Sequence, residues 1–367
     1  MKSPDELRKF NTLKVLRFIA DKKQGTKSEI ARATNLTMVT VGNIINMMVE
    51  REVLMQDGID SSNLGRNSVI YSFNLSKNHI IGINMGIDYI SFREEDLEGN
   101  IIGRKYVQVE IDISYEEVLS MLVEYIKHKE NILGVGITIP GVSNQETGKV
   151  EFLPNLKSIK GQYLRNDITA MTNLFTIVEK DVYAGAGLFR ENGSKKSTAL
   201  LSIKGGIGCG VICNGSVLKG HDSMAGEIGH ISINPDGPLC SCGQKGCIEK
   251  YAADYALSEQ LGMGLKDMVE AANMGDAECL DVLRKACDSL VILTGYINKF
   301  YNPEELFINS RWLEQVASIK QYFNELIKDQ PNLITIIYDS HNYEKGAVNI
   351  IKEKLLSDIE NNHLLGG

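Results

Sequence analysis

The chain has 367 residues, 43% hydrophobic and 23% charged, with 34 glycines and 7 prolines. Two or three ordinary globular domains fit this profile, whereas a disordered, collagen-like or disulfide-stapled protein does not. No apolar run reaches the ~18 residues of a membrane span, and MKSPDELRKF lacks the apolar core of a leader, so a soluble cytoplasmic protein with no membrane partner is expected.

The net charge of −8 is unevenly spread. Residues 1–75 carry eleven Lys/Arg and eight Asp/Glu, a net of +3, which leaves −11 for the remainder. An acidic body repels nucleic acid, so any DNA contact is expected from this first segment. Leu13, Val15, Leu16, Phe18 and Ile19 have the spacing of a buried helical stripe, and Gly25 marks a turn after it. A second helix fits Lys27 to Thr34, Asn35-Leu36 turns the chain, and Thr37 caps a third helix. On that helix Val41, Ile44 or Ile45, and Met48 face inward, leaving Met38, Thr40, Gly42, Asn43 and Asn46 outside. Small and amide side chains of this kind read base edges. The face carries no Arg or Lys, so phosphate contacts fall to Lys27, Arg32 and the following loop. MQDGIDSSNLGRNSVIYSFN reads as a hairpin whose polar tip carries Arg66 towards a phosphate or the minor groove. The order of elements is that of a winged helix-turn-helix.

From residue 79 the pattern becomes short apolar strands separated by Gly or Asp turns, HIIGINMGIDYISF and DLEGNIIGRKYVQVEI. A helix over Tyr115 to His128 and a buried strand over Ile132 to Ile139 follow, and the alternation indicates an α/β body. A further strand, Leu174 to Val178, ends at Glu179-Lys180-Asp181, the edge at which α/β sheets place ligands. Asp181 there is either a ligand-facing acid or a simple helix cap.

Residues 220–251, GHDSMAGEIGHISINPDGPLCSCGQKGCIEKY, hold the densest local signal. His230, Cys240, Cys242 and Cys247 supply one imidazole and three thiolates, a closed tetrahedral set for a structural Zn2+. Gly243 and Gly246 allow the backbone to wrap around one ion. Glu227 and Glu249 flank this knot, and an ion that holds the loop also holds both acids, as a site for a polyhydroxylated ligand requires.

AGEIGHISINPDGPLCSCGQKGCIEKYA closely resembles the sugar-and-zinc signature of the ROK family, which contains bacterial sugar kinases and sugar-responsive repressors. The resemblance extends over nearly the whole chain, and GINMGIDYI, DLEGNII and FINSRWLE are similar to the xylose-operon repressors within it. It implies a winged helix-turn-helix over residues 1–75. A two-lobed actin/hexokinase-like (ribonuclease H-like) ROK domain over 76–367 follows, with lobe 1 at about 78–182 plus the C-terminal helix and lobe 2 at about 183–350. By the same resemblance Asn155, Asp181, Glu227, His230 and Glu249 contact the sugar, His230 also ligates zinc, Asp181 falls on the catalytic aspartate, and the protein forms a homodimer or higher homo-oligomer.

The chain departs from the kinases of that family at three nucleotide elements. Asn84-Met85-Gly86-Ile87-Asp88 replaces an Asp-x-Gly-x-Thr phosphate turn, and its Asp88 repels phosphates. Lys204-Gly205-Gly206-Ile207-Gly208 lacks the threonine of the second phosphate loop, and Asn309-Ser310 replaces a Gly-Gly turn, where side chains are expected to obstruct the nucleotide. Lys180 and Tyr183 also stand where amides are usual, so the effector differs or Lys180 turns away. The expected function is a repressor that binds operator DNA and a sugar effector in a catalytically inactive kinase-like domain, with structural zinc and no ATP. An active ATP-dependent kinase with a fused DNA-binding head, or a repressor controlled by a protein partner, are the competing readings.

Overall fold

The computed structural model describes residues 4–60, 68–86, 88–110, 112–153, 156–189, 196–338 and 343–361. The first unit contains α1 (Pro4–Lys22), β1 (Gln24–Thr26), α2 (Lys27–Thr34), α3 (Met38–Glu50), β2 (Leu54–Asp60) and β3 (Ser68–Phe73). Local chemistry sets its boundaries. Thr26 and Glu29 close a capping box at the start of α2, Asn35 ends it in the left-handed region (φ 55°), and Thr37 accepts a bond from the Thr40 amide to start α3. Ile44 and Ile45 are both buried, with Val41 and Met48, against Val15, Leu16, Ile19 and Ile30. Gly25 is not a turn: it lies in β1, which pairs with β3 to complete a β1-β3-β2 sheet. A Cβ there would sit 2.6 Å from the Phe18 ring, so the position demands a missing side chain, and this is the signal that spacing alone misassigned.

The body begins with β4 (His79–Met85), β5 (Tyr89–Asp96), β6 (Ile101–Gln108), α4 (Tyr115–Lys127), β7 (Ile132–Ile139), β8 (Val142–Ser143), β9 (Val150–Phe152), α5 (Leu164–Thr172) and β10 (Phe175–Lys180). It continues with α6 (Asp181–Leu188), β11 (Thr198–Ile203), β12 (Ile207–Cys213), β13 (Ser216–Val217), α7 (Glu249–Ala252), α8 (Asp254–Leu261), α9 (Leu265–Asn273) and α10 (Ala277–Phe300). The last elements are β14 (Glu305–Ser310), α11 (Arg311–Gln315), α12 (Ala317–Ile327), β15 (Leu333–Ile337) and α13 (Tyr343–Asn361).

Two five-stranded sheets result, ordered β10-β7-β4-β5-β6 and β13-β12-β11-β14-β15. They share one topology: three antiparallel strands joined in sequence, extended by two parallel strands. Parallel pairing requires helical crossovers, and α4 and α5 supply them in the first sheet as α7–α10 and α11–α12 do in the second. Each sheet has its own core, the second including the chain's single tryptophan, Trp312, fully buried.

The long C-terminal helix α13 packs on β4 and β7 and crosses α6. Glycines permit this closeness. A Cβ at Gly82 would stand 2.1 Å from the Glu344 carbonyl oxygen, and one at Gly136 2.1 Å from that of Ala347. The first residue of α13, Tyr343, reaches the second sheet, where its hydroxyl pairs with Ser202 Oγ at 2.9 Å. The same helix touches α1 of the first unit. The connecting residues 74–78 are pinned as well. Asn78 Nδ2 donates to the carbonyls of Glu52 (2.9 Å) and Asn74 (2.7 Å), Leu97 N donates to Leu75 O (2.9 Å), and Lys352 Nζ donates to Leu97 O (2.5 Å). Among the described residues no helix is long and apolar enough to cross a membrane.

Candidate functional site

The carboxyl ends of β4, β7, β10, β11 and β14 converge on a cleft of about 440 Å3 that both sheets line. Open α/β sheets present ligand sites at this edge because the following loops and helix starts carry polar groups. Asp181, Glu227, His230 and Glu249 all line it, although up to 68 positions separate them in sequence. Asn155 and Arg66 lie outside the described residues.

Asp181 is the first residue of α6, and its Oδ1 accepts the Val182 amide at 2.7 Å. Burial raises its pKa to about 6 against the opposing pull of Lys204, that amide and Lys180. Glu249 Oε2 accepts the Ile207 amide at 3.1 Å, while Tyr255 donates to Oε1 at 3.4 Å. Glu227 is ion-paired with Lys180, and its second oxygen lies 3.8 Å from His230 Nε2. Lys180 therefore does not turn away: it is buried in the cleft beside the acid that the sequence assigned to ligand binding.

His230, Cys240, Cys242 and Cys247 offer four ligand atoms that all lie within 4.8 Å of one another. Cys242 and Cys247 Sγ are 3.6 Å apart, and Cys240 Sγ is 3.5 Å from His230 Nδ1, the spacing of tetrahedron edges around one ion with ~2.3 Å sulfur bonds. The residues present fit a metal. Gly246 lies at φ 70°, and a Cβ there would meet the Asn234 carbonyl oxygen at 1.7 Å, which explains the glycine in the knot. Because Nδ1 faces the thiolates, Nε2 is left to face Glu227, so the knot orients a donor and an acid together.

Residues of the β4–β6 edge, the 204–208 turn and the start of α13 line the other half of the cleft. The Gly86 amide bonds the Tyr89 carbonyl at 2.8 Å, closing the turn at the end of β4, and Tyr89 stacks on Tyr106 with ring centroids 5.1 Å apart. Asp88 accepts from Gln108 at 2.9 Å. Lys204 Nζ lies 3.8 Å from the Tyr343 ring centroid, between Asp181 and Asp254 in charge environment. Asn309 and Ser310 do not obstruct the cleft. Both are buried, Asn309 donating to the Tyr343 hydroxyl at 3.4 Å and Ser310 capping α11, because their β14 positions point into the body. Arg311, set over the Tyr338 ring at 5.9 Å, lines the cleft there instead.

Sequence reasoning missed Tyr89, Tyr106, Asp254, Arg311 and Tyr343. Asp254 Oδ1 is buried without a hydrogen-bond partner, and burial raises the group's pKa to about 7 against Lys204 and Arg311. Only Asp254 carried a local signal, an acid at a helix start five residues beyond Glu249; the others required the fold.

In the first unit, Met38, Asn43 and Asn46 are exposed on α3 and Thr40 is half-buried. Val39, which the sequence reading passed over, is the most exposed apolar residue of that face at 73%. Lys27 Nζ donates to Asn46 Oδ1 at 3.0 Å, which brings a cation onto the α3 face, and Arg32 is exposed on α2.

A ROK family model matches residues 80–348. The chain is 28% identical to the xylose repressor of Caldicellulosiruptor bescii, over 95% of this chain and 93% of that protein. Among solved structures, a ROK family transcriptional regulator, a homologue of the Escherichia coli MLC protein, superposes with a TM-score of 0.73 at 22% identity, covering 98% of this chain and all of that one. A ROK family glucokinase from Streptomyces griseus, solved with glucose and AMPPNP, superposes with a TM-score of 0.63 at 21% identity. It covers 74% of this chain and 99% of that one, so the actin/hexokinase-like body is common to regulators and kinases. With the matched segment spanning most of the body, the chain belongs to the ROK family.

Proposed function

We propose that this protein is a sugar-responsive transcriptional repressor whose kinase-like body senses the sugar without phosphorylating it. The observation that carries the reading is the match to a xylose repressor across 95% of the chain, first unit and body together. A kinase alone accounts only for the body. In this reading residues 1–75 form a winged helix-turn-helix and residues 76–367 the sensor. Met38, Thr40, Asn43 and Asn46 on α3 face base edges, while Lys27, Arg32 and Arg66 meet the phosphate backbone. Asn155, Asp181, Glu227, His230 and Glu249 hold the sugar, and His230, Cys240, Cys242 and Cys247 hold a structural zinc that keeps Glu227 and Glu249 in register. Asp181 is vestigial. The closed Gly86–Tyr89 turn and the acid at Asp88 support the absence of ATP from the cycle.

Signal transfer follows the packing. Tyr343 lies in the cleft, α13 carries it across the first sheet, and the same helix touches α1 and, through Lys352, bonds Leu97, whose amide in turn bonds Leu75 of the linker. A sugar that binds one angle between the sheets better than another shifts the population, and in a homodimer that shift changes the spacing of two DNA-binding units. The test combines two measurements on the purified full chain: melting temperature against a panel of sugars with and without Mg-ATP, and affinity for DNA upstream of carbohydrate-utilisation genes. Stabilisation by one sugar, with none by Mg-ATP and with altered operator affinity, is the expected result. Sugar-dependent ATP turnover that disappears in Asp181→Asn would replace the repressor reading with a kinase.

A further inference from the structure

Lys180 ends β10 with its side chain only 5% exposed, and it is held on every side that the structure describes. Its ammonium pairs with Glu227, donates to the Ala225 carbonyl at 3.4 Å, and lies 5.4 Å from the Tyr183 ring centroid. Tyr183 itself donates to the Ala225 carbonyl at 2.7 Å, and Lys219 pairs with Glu179, the residue before Lys180. Residues 219–227 are thereby latched onto the end of the first sheet. The side chain is nearly closed to solvent, although the residue lines the cleft.

That arrangement sets a condition on any ligand that takes the Glu227 carboxylate for its hydroxyl groups. A neutral sugar that takes both oxygens of Glu227 leaves the buried ammonium with the Ala225 carbonyl and the unbonded charge of Asp181, and a poorly compensated buried charge is unfavourable. A ligand that brings its own anion replaces the lost partner and keeps the ammonium paired. Lys204, the second cation of the cleft, stands on the other side of Asp181 and offsets the charge of that acid towards an incoming anion.

We infer that the effector is an acidic sugar, one carrying a carboxylate or phosphate, and that Lys180 selects it by exchanging Glu227 for the anion of the ligand. The inference rests on the sugar-sensor reading of the cleft and names its ligand class. The exchange also releases one of the links that hold residues 219–227 to the first sheet, so binding and the change of interlobe angle are the same event.

The test is titration calorimetry on the full-length zinc-loaded chain with paired probes: D-xylose against D-xylonate, D-glucose against D-glucuronate, and D-glucose against glucose 6-phosphate. At least one acid is expected to bind roughly thirtyfold or more tightly than its neutral partner, the scale of a desolvated charge pair. The carboxylate and phosphate arms identify which anion is used. Lys180→Asn is expected to abolish or reverse the preference at unchanged zinc content, whereas Lys180→Arg keeps it. If Lys180→Asn does not fold, Lys180→Gln and the wild-type pairs decide. A neutral sugar bound as tightly as its acid, or a preference that survives in Lys180→Asn, overturns the inference and leaves the sugar sensor standing. Binding of none of the six probes overturns both.

Discussion

Glu227, His230 and Glu249 belong to or flank a four-ligand cluster on one side of the cleft, whereas the opposite side is lined by side chains that pack against one another. On the first side the partners of the two acids are the Ile207 amide, the Tyr255 hydroxyl, Lys180 and His230. On the second side Tyr89, Tyr106, Lys204 and Tyr343 pack against one another or against acids, and the turn at Gly86 is closed by its own hydrogen bond. The two sides of the cleft thus depend on different constraints, a local cluster of four side chains on one and packing between distant elements on the other.

The largest way to break this contrast is to remove the zinc proposed for the His230, Cys240, Cys242 and Cys247 cluster. Cys242→Ser or chelation is expected to free the 227–249 loop and abolish any sugar response, with a loss of several kcal/mol in stability, because binding a structural ion is part of local folding. Trp312, alone in the second core, reports it by fluorescence melting. An unchanged dose response in metal-free protein would sink the claim.

Gly136→Ala tests the helix that joins the halves. The new methyl would overlap the Ala347 carbonyl, so α13 must shift, at a cost of about 3 kcal/mol. Denaturant titration measures it, and a change below half that value would mean the packing yields easily.

Asp254→Asn sharpens the comparison from the opposite side. Folding raises the pKa of Asp181 to about 6 and of Asp254 to about 7, so the folded chain holds protons that the unfolded chain releases near pH 4. Their contribution to stability therefore declines as pH rises from about 4 to 7 and levels off above that. The asparagine removes the Asp254 part of the decline, and the variant is expected to gain roughly 1–3 kcal/mol at pH 8 relative to pH 4. Identical pH profiles for variant and wild type would contradict the assignment. The smallest effect is expected in the first unit: Lys27→Ala should weaken operator binding evenly across sequences and reduce the salt slope by about 1. Its measurement is fluorescence anisotropy at several salt concentrations.

Much of this was legible before any coordinates. The bounds of α2, the turn at Asn35, the Thr37 cap of α3 and the span of β7 agree with the reading from local spacing, because capping chemistry and an apolar run are properties of adjacent residues. The metal set is local in the same sense, with four ligands inside eighteen positions. Asn309 and Ser310 show the opposite case: their presence was readable, but not the direction of their side chains, which alternation along β14 and the position of Tyr343 decide.

By itself, then, the sequence determined α2, α3, β7, the four-residue cluster and the family, since each rests on residue types at short fixed spacing. Tertiary structure alone decided that Lys180 meets Glu227 from 47 positions away, and that Asp254 faces Lys204 and Arg311. It also decided that Tyr343, the first residue of α13, lines the cleft and meets Ser202 of the second sheet. Those pairings depend on the angle between two sheets and on glycines that let a helix approach them, quantities that no local pattern encodes.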